Sequence, residues 1–337
     1  MNLQQLRFVQ EAVRRNLNLT ETARALHTSQ PGVSKAIREL EQELGVDLFV
    51  RHGKRLTRIT EPGQAMLASV ESILREVGNL KRIGDEYAGR EAGTLSIATT
   101  HTQARYFLPG PVTELRRRYP QVQVVLHQGV PEQVAKMLLT EVADIGLATE
   151  ALAAHDDLVT LPCYEWEHVL VVPRAHPLAA EKRPTLEQLA AQTLVLYHPT
   201  VTGRTRIDQA FARARLSPRV ALEAIDSDVI KTYVRLGLGV GIVAAQAMQE
   251  EARANAAAAA PADDDLVSVP LGHLFGANVT RVAFKRGVYL RHFVLAFAEL
   301  LSPRLNAALL ARALKGDFAA AGDGSGAAAE PASDYQL

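Results

Sequence analysis

The chain has 337 residues, with 37 Lys+Arg against 37 Asp+Glu, and 47% of it is hydrophobic. That balance builds packed cores and excludes a disordered chain, which needs more charge and fewer apolar residues. No run approaches the ~18 apolar residues of a membrane-spanning helix, and the single cysteine, Cys163, excludes an intrachain disulfide and a multi-thiolate metal site. The first residues interleave charged and apolar positions, unlike a secretory signal, so a cytoplasmic protein is expected.

Zero net charge conceals a basic end. Residues 1–60 hold ten Lys+Arg and six acids, and Arg51–Arg58 contains four cations and no acid. Leu3, Leu6, Val9 and Val13 predict a first amphipathic helix. A second starts near Thr20 as N-cap and carries Leu19, Ala23 and Leu26. After the break at His27-Thr28, Ser29 caps a third helix with Pro31 in its first turn, and Gly45 ends it. Val33, Ile37, Leu40 and Leu44 form the apolar stripe of that helix, leaving Gln30, Ser34, Lys35 and Arg38 on a polar face. Leu48–Val50 and Leu56–Thr60 predict two short strands around a basic tip with Gly53 at the turn. Helix, tight turn and polar-faced helix followed by a basic hairpin is a winged helix-turn-helix, built to put short hydrogen-bonding side chains in a major groove. The expected DNA contacts are Thr28, Ser29, Gln30, Pro31, Ser34, Lys35 and Arg38 from the helix, and Arg51, Lys54 and Arg55 from the wing. From Leu3-Gln4-Gln5-Leu6-Arg7-Phe8 through Ser29-Gln30-Pro31-Gly32-Val33-Ser34-Lys35 to Thr57–Gly63, this segment resembles the LysR-type transcriptional regulators.

Beyond Thr60 a long helix is expected to about Ile83, with Met66, Val70, Ile73, Val77 and Leu80 spaced four, three, four, three. That heptad seam favours pairing with a second helix, so these five residues are the expected dimerisation contacts. Gly84, Gly89 and Gly93 mark a domain boundary near 90.

From Leu95 the pattern alternates strand and helix, which predicts a mostly parallel sheet covered on both faces. Leu161–Val172 and Thr193–Tyr197 are expected to cross into a second α/β lobe, and Val267–Pro270 and Arg281–Phe284 to return to the first. A small-ligand cleft then lies between the lobes at the carboxyl ends of strands. Thr99–Gln103, Thr149-Glu150 and Thr202–Thr205 fall at such ends, where hydroxyls and free N–H groups can hold an anion without a cation.

Thr99–Arg105, Ala148–Leu152, Leu161–Tyr164, Thr202–Arg204 and Asp228–Gly241 resemble the CysB-like subfamily of LysR-type regulators, those of sulfur assimilation. The resemblance runs to about residue 302. It implies an α+β multi-domain chain: a winged helix-turn-helix at 1–60, a linker and dimerisation helix at 61–90, and a two-lobed α/β effector domain resembling periplasmic binding proteins at 91–302. Lobe I would comprise 93–161 plus 269–302 and lobe II 162–268, followed by a partly disordered extension at 303–337. It further implies no cofactor, and an effector (N-acetylserine, O-acetylserine, sulfate or thiosulfate) held by Thr100, Thr102, Gln103, Thr149 and Thr202, with Trp166 lining the pocket. Promoter DNA, RNA polymerase and other copies of the chain, as a homodimer or homotetramer, are the implied partners. His198–Val201 departs from the subfamily's usual pattern, which keeps a regulator of sulfonate or organosulfur use as the alternative.

Other signals carry less. Gly237–Gly241 follows a helix and precedes a strand, the reverse of a dinucleotide loop. The scattered histidines predict no metal site, and Cys163 reads as a packing residue. The Ala-rich run 252–265 reads as an insertion and 317–337 as a disordered tail. An enzyme acting on a small anion is disfavoured by the lack of a nucleophile–base pair or cofactor loop, and an exported solute receptor by the lack of an export signal.

Overall fold

The computed structural model describes residues 1–53, 55–88, 92–201, 203–249 and 266–314. Lys54, Thr202, the 252–265 run and the 317–337 tail, all singled out by the sequence, lie outside the described residues. The chain divides into two compact units, Met1–Gly89 with Gly287–Tyr289, and Arg90–Arg286 with Leu290–Leu337.

In the first unit, α1 (Leu3–Arg14), α2 (Leu19–Ala25) and α3 (Gln30–Leu44) precede a hairpin of β1 (Phe49–His52) and β2 (Arg55–Ile59) and the long α4 (Glu61–Tyr87). The cap of α2 is Asn18, not Thr20: its side chain accepts from the Thr20 and Glu21 amides at 3.1 and 3.2 Å. An Asx side chain reaches the first-turn N–H groups at least as well as threonine does, and it stands nearer the start. Ser29 caps α3 through Gly32 N, and Gly45 ends it in the left-handed region at φ 72°. Val33, Ile37 and Leu40 are fully buried against Leu6, Val9, Ala12 and Ala23. Each such side chain stabilises the head by about 1.5–3 kcal/mol, and Ile37→Ala alone would cost about 2–5 kcal/mol.

Leu44 is 37% exposed, so the apolar stripe of α3 stops one turn early and Glu41 takes the buried side. Its carboxylate accepts the Leu48 and Phe49 amides at 2.9 and 3.2 Å, two donors at the entry to the wing. The wing is fixed to α4 as well. Thr60 caps that helix through Gly63 N while its hydroxyl donates to Asp47 O at 2.6 Å. Gly63 is required there, because a Cβ would stand 2.2 Å from Leu48 O.

The second unit opens with β3 (Gly93–Thr99), α5 (Pro109–Arg118), β4 (Val122–Gln128), α6 (Pro131–Leu139), β5 (Ile145–Ala148) and the long β6 (Leu158–Pro173). It continues with α7 (Leu186–Ala190), β7 (Thr193–Tyr197), α8 (Arg204–Arg213), β8 (Arg219–Ala224), α9 (Ser227–Arg235) and β9 (Val240–Ala244). Last come β10 (Leu266–Pro270), α10 (Gly272–Phe275), β11 (Ala277–Lys285), α11 (His292–Leu301) and α12 (Ala307–Leu314). Among the described residues, nine strands join in the order β4-β3-β5-β11-β6-β9-β7-β8, with β10 on β6. β3, β4 and β5 are parallel, as are β7, β8 and β9. The antiparallel pair β6 and β11 runs through both lobes and supplies the two crossings.

Two expectations change. Val267–Pro270 does not return to the first lobe: β10 pairs with Val169–Pro173 in the second, so the return crossing is β11 and lobe I does not resume at 269. The helix expected directly after the first strand of the alternating region comes only after a wide turn, Gln103–Phe107, and is α5. The Gln103 carbonyl is taken by Leu108 N at 2.9 Å, one residue further on than in an α-helix, and α5 starts at Pro109, whose missing N–H is tolerated at a first helical position.

Candidate functional site

The polar face of α3 is presented as its sequence predicts. Thr28, Ser29, Pro31, Lys35 and Arg38 are exposed, and Gln30 and Ser34 are half-buried. Arg55 is exposed at the start of β2, beside the turn at Gly53 (φ 63°). Arg51 differs from expectation. It sits in β1, and its Nη2 donates to Glu41 Oε2 at 2.7 Å, with side-chain exposures of 19% and 5%. Arg51 therefore ties the wing to the recognition helix, a buried pair whose partner Glu41 the sequence reading passed over. The only signal for it was an acid on the apolar side of α3. Of the expected seam, Met66 and Val70 pack into the head's own core. Val77 is half-buried, and Ile73 and Leu80 are 40% and 69% exposed. The face left for a second helix is thus the C-terminal half of α4.

In the second unit, β3 and β5 end side by side, with Thr99 opposite Leu147 and opposite Gln128 of β4. Their carboxyl ends bring Thr99, Thr100 and Thr149 onto one rim, all buried. Among the described residues, Thr99 Oγ1 has no hydrogen-bond partner. Gln103 is buried and committed to the crossing strands: its Nε2 donates to Thr280 Oγ1 at 3.3 Å and its Oε1 accepts from Tyr164. It therefore anchors the rim to β6 and β11, which the sequence did not foretell. Thr102 reaches across the lobes to the Tyr197 hydroxyl, which also meets Ser227 Oγ at 2.6 Å and accepts Ala244 N at 3.1 Å. Trp166 is 6% exposed on β6, two residues from Tyr164, and its Nε1 has no partner among the described residues. At ~3.3 Å per residue it stands about 7 Å along the strand from that anchor. Five of the six effector candidates are thereby gathered around the junction of the two lobes.

A second set of contacts bridges the lobes from the same segment. Tyr106 donates to Asp228 Oδ1 at 2.6 Å, and Lys231 Nζ lies 2.9 Å from the same oxygen. Arg105 and His101 stand 3.6 and 4.0 Å from Oδ2. Burial, with the adjacent carboxylate, pushes the Tyr106 phenol well above its usual range, so it remains a donor. Burial alone would raise the Asp228 carboxyl, but hydrogen bonds from Tyr106 and Lys231 and the charges of Lys231 and Arg105 outweigh it and hold it below the ordinary range. His101, Asp226 and Asp228 offer atoms within 4.8 Å of one another. However, Asp226 caps Val229 N at 2.8 Å, and Asp228 already serves two cations. Cys163 is buried, its thiol pushed up to about 12 by burial, and donates to Leu301 O at 3.6 Å.

Residues 3–64 match the bacterial regulatory helix-turn-helix protein family of LysR type, and residues 88–306 match the LysR substrate binding domain. The chain belongs to the LysR family of transcriptional regulators. It is 55% identical to the HTH-type transcriptional regulator CysB of Burkholderia cenocepacia, over 94% of this chain and 98% of that protein. It is 48% identical to the regulator SsuR of the same organism, over 94% and 99% of the two chains. The cofactor-binding domain of the Cbl transcriptional regulator superimposes with a TM-score of 0.60 at 42% identity, covering 66% of this chain and 93% of that one. A CysB-like LysR regulator binds promoter DNA, forms oligomers and is not an enzyme, so the small-anion enzyme is set aside. Among the described residues no helix is long and apolar enough to cross a membrane.

Proposed function

We propose that this LysR regulator controls promoters of sulfur assimilation and cysteine biosynthesis in the cytoplasm, in response to N-acetylserine, O-acetylserine, sulfate or thiosulfate held between its two lobes. The observation that carries the reading is the buried rim of Thr99, Thr100 and Thr149 at the carboxyl ends of β3 and β5. Hydroxyls and backbone N–H groups there suit a small anion and need neither a metal nor a cofactor. Effector binding shifts how the heads pair on DNA only through unequal affinity for two arrangements of the oligomer. A homotetramer built as a dimer of dimers reads several half-sites, each about one turn (~34 Å) or more apart, and RNA polymerase is the partner through which promoter occupancy acts.

A second reading, a regulator of sulfonate or organosulfur use, is favoured by the turn His198–Val201. There His198 Nδ1 meets Thr200 Oγ1 at 2.9 Å in a sequence unlike the usual CysB-like pattern. Calorimetric titration with the four compounds and with an alkanesulfonate, followed by promoter binding with and without each, separates the two. Binding of an acetylated serine or inorganic anion that alters the DNA complex is expected. Response to the sulfonate alone selects the second reading, and response to none refutes both.

A further inference from the structure

Just past β11 the chain changes unit: Gly287–Tyr289 belong with the first, and Arg286 and Leu290 on either side with the second. One side chain of α4 holds this short strap. Asn79 Nδ2 donates to Gly287 O at 2.9 Å, and Asn79 Oδ1 accepts from Tyr289 N at 2.8 Å. The same amide donates to Glu76 Oε2 at 3.2 Å, and Arg82 Nη1 stands 3.5 Å from its oxygen. A side-chain amide has two N–H donors and one acceptor oxygen, so every polar atom of Asn79 is engaged, at 7% exposure. The Tyr289 hydroxyl adds a bond to Glu86. Gly287 lies in the left-handed region at φ 75°, and a Cβ there would stand 3.0 Å from Arg75 Nε. Glycine thus suits both the turn and the close approach to the helix.

At ~100° per residue, Arg75, Asn79, Arg82 and Glu86 share one face of α4, and Ile73, Val77 and Leu80 lie about 150° round the helix from it. The strap and the exposed seam therefore use opposite faces of one helix. The strap also has firm ends. Arg286 N donates to Asp157 O at 2.8 Å, and Leu290 is buried. The four steps between Arg286 and Leu290 span at most about 14 Å, which leaves few residues to absorb a shift. Upstream, β11 carries Thr280, whose hydroxyl accepts the Gln103 amide beside the threonine rim. A movement of β11 on effector binding is thus passed to α4 by the strap instead of being lost in a loose linker. We propose that Asn79 is the positioning residue through which effector occupancy reorients the dimerisation helix and so the reading heads. This coupling rests on the cleft being the effector site, and it acts through unequal effector affinity for two arrangements of the chain.

The full-length protein would be compared with Asn79→Leu and with a variant carrying Gly-Gly inserted between Arg286 and Gly287. Leucine removes both strap bonds at similar volume. The insertion keeps Asn79 and its partners and adds about 7 Å of slack. Each protein would be titrated by calorimetry with N-acetylserine, O-acetylserine, sulfate, thiosulfate and butanesulfonate. Binding to the upstream DNA of a cysteine-biosynthesis gene would be measured with and without each compound, and sedimentation would check assembly. Expected in the wild type is a change in DNA affinity of about fivefold or more with at least one compound. In both variants the compound should change DNA affinity by less than about twofold. Their own affinity for the compound should stay within about threefold of wild type, with assembly unchanged. A full response in the insertion variant overturns the strap as the link, whether or not Asn79→Leu folds. A full response in Asn79→Leu overturns the role of Asn79. Loss of compound binding in the insertion variant also overturns the proposal, because the strap would then support the cleft itself. A wild type that binds a compound without any change in DNA affinity overturns the coupling and spares the cleft. A wild type that binds none of the five overturns the cleft reading and the coupling with it.

Discussion

Tyr106→Phe removes one hydroxyl and isolates the contact that joins the lobes. The bond to Asp228 is 2.6 Å long and ends on a carboxylate. Bonds to charged groups contribute about 1.5–3 kcal/mol. The Asp228 side chain is 42% exposed, which places this one near the low end, about 1.5 kcal/mol. The phenyl ring stays, so its packing against Lys231, whose Nζ lies 5.3 Å from the ring centroid, is retained. If the clasp holds the lobes in the arrangement that takes effector, losing 1.5 kcal/mol lowers the weight of that arrangement up to about tenfold, and the apparent Kd rises by as much. Urea unfolding of the full chain should show a lower midpoint for the effector-domain transition, and calorimetry the weaker binding. The pH dependence has a defined sign. The folded Asp228 carboxyl titrates below its unfolded value of about 3.9, so the clasp's stabilisation is complete above that value and is lost as pH falls through the lowered one. The difference between wild type and Tyr106→Phe should therefore be constant from about pH 5 to 8 and shrink in acid. An unchanged midpoint together with an unchanged Kd would refute the clasp.

Other predictions concern the first unit. Glu41→Gln leaves Arg51 largely buried without its counter-charge. It should destabilise the head by about 3 kcal/mol, read as a drop in its thermal midpoint, with promoter affinity falling as the wing detaches. Gln30→Ala and Arg38→Ala should each weaken a specific site by about 1–3 kcal/mol more than random DNA in titrations at fixed salt; uniform weakening would reassign them to phosphate. Gly63→Ala forces a Cβ to 2.2 Å from a backbone oxygen and should cost the head more than about 3 kcal/mol in urea melts. Ile73→Asp with Leu80→Asp puts charge on the exposed half of α4 and should lower the oligomeric state in sedimentation, without unfolding the head.

The head was legible because its information is local. Ser29, Pro31 and Gly45 act within a turn of where they stand, and Val33, Ile37 and Leu40 reveal their face by spacing alone. Asn18 lost to Thr20 in the reading only because two good caps stand two residues apart. The cleft was legible at its rim for the same reason: threonines follow strands, and strand ends mark ligand sites in α/β folds. What connects the rim to its surroundings was not, because it is carried by partners far apart in sequence. Gln103 meets Thr280 across 177 residues, and Tyr106 meets Asp228 across 122. No periodicity encodes such pairs. Glu41 shows the intermediate case: a buried acid on an apolar stripe is visible as an anomaly, but its meaning, two wing amides and Arg51 to satisfy, appears only when the hairpin folds back on it. The physical rule is that a buried polar side chain must find its partners. In this chain the polar residues that break the expected pattern, Glu41 and Gln103 among them, are the ones that join one element to another.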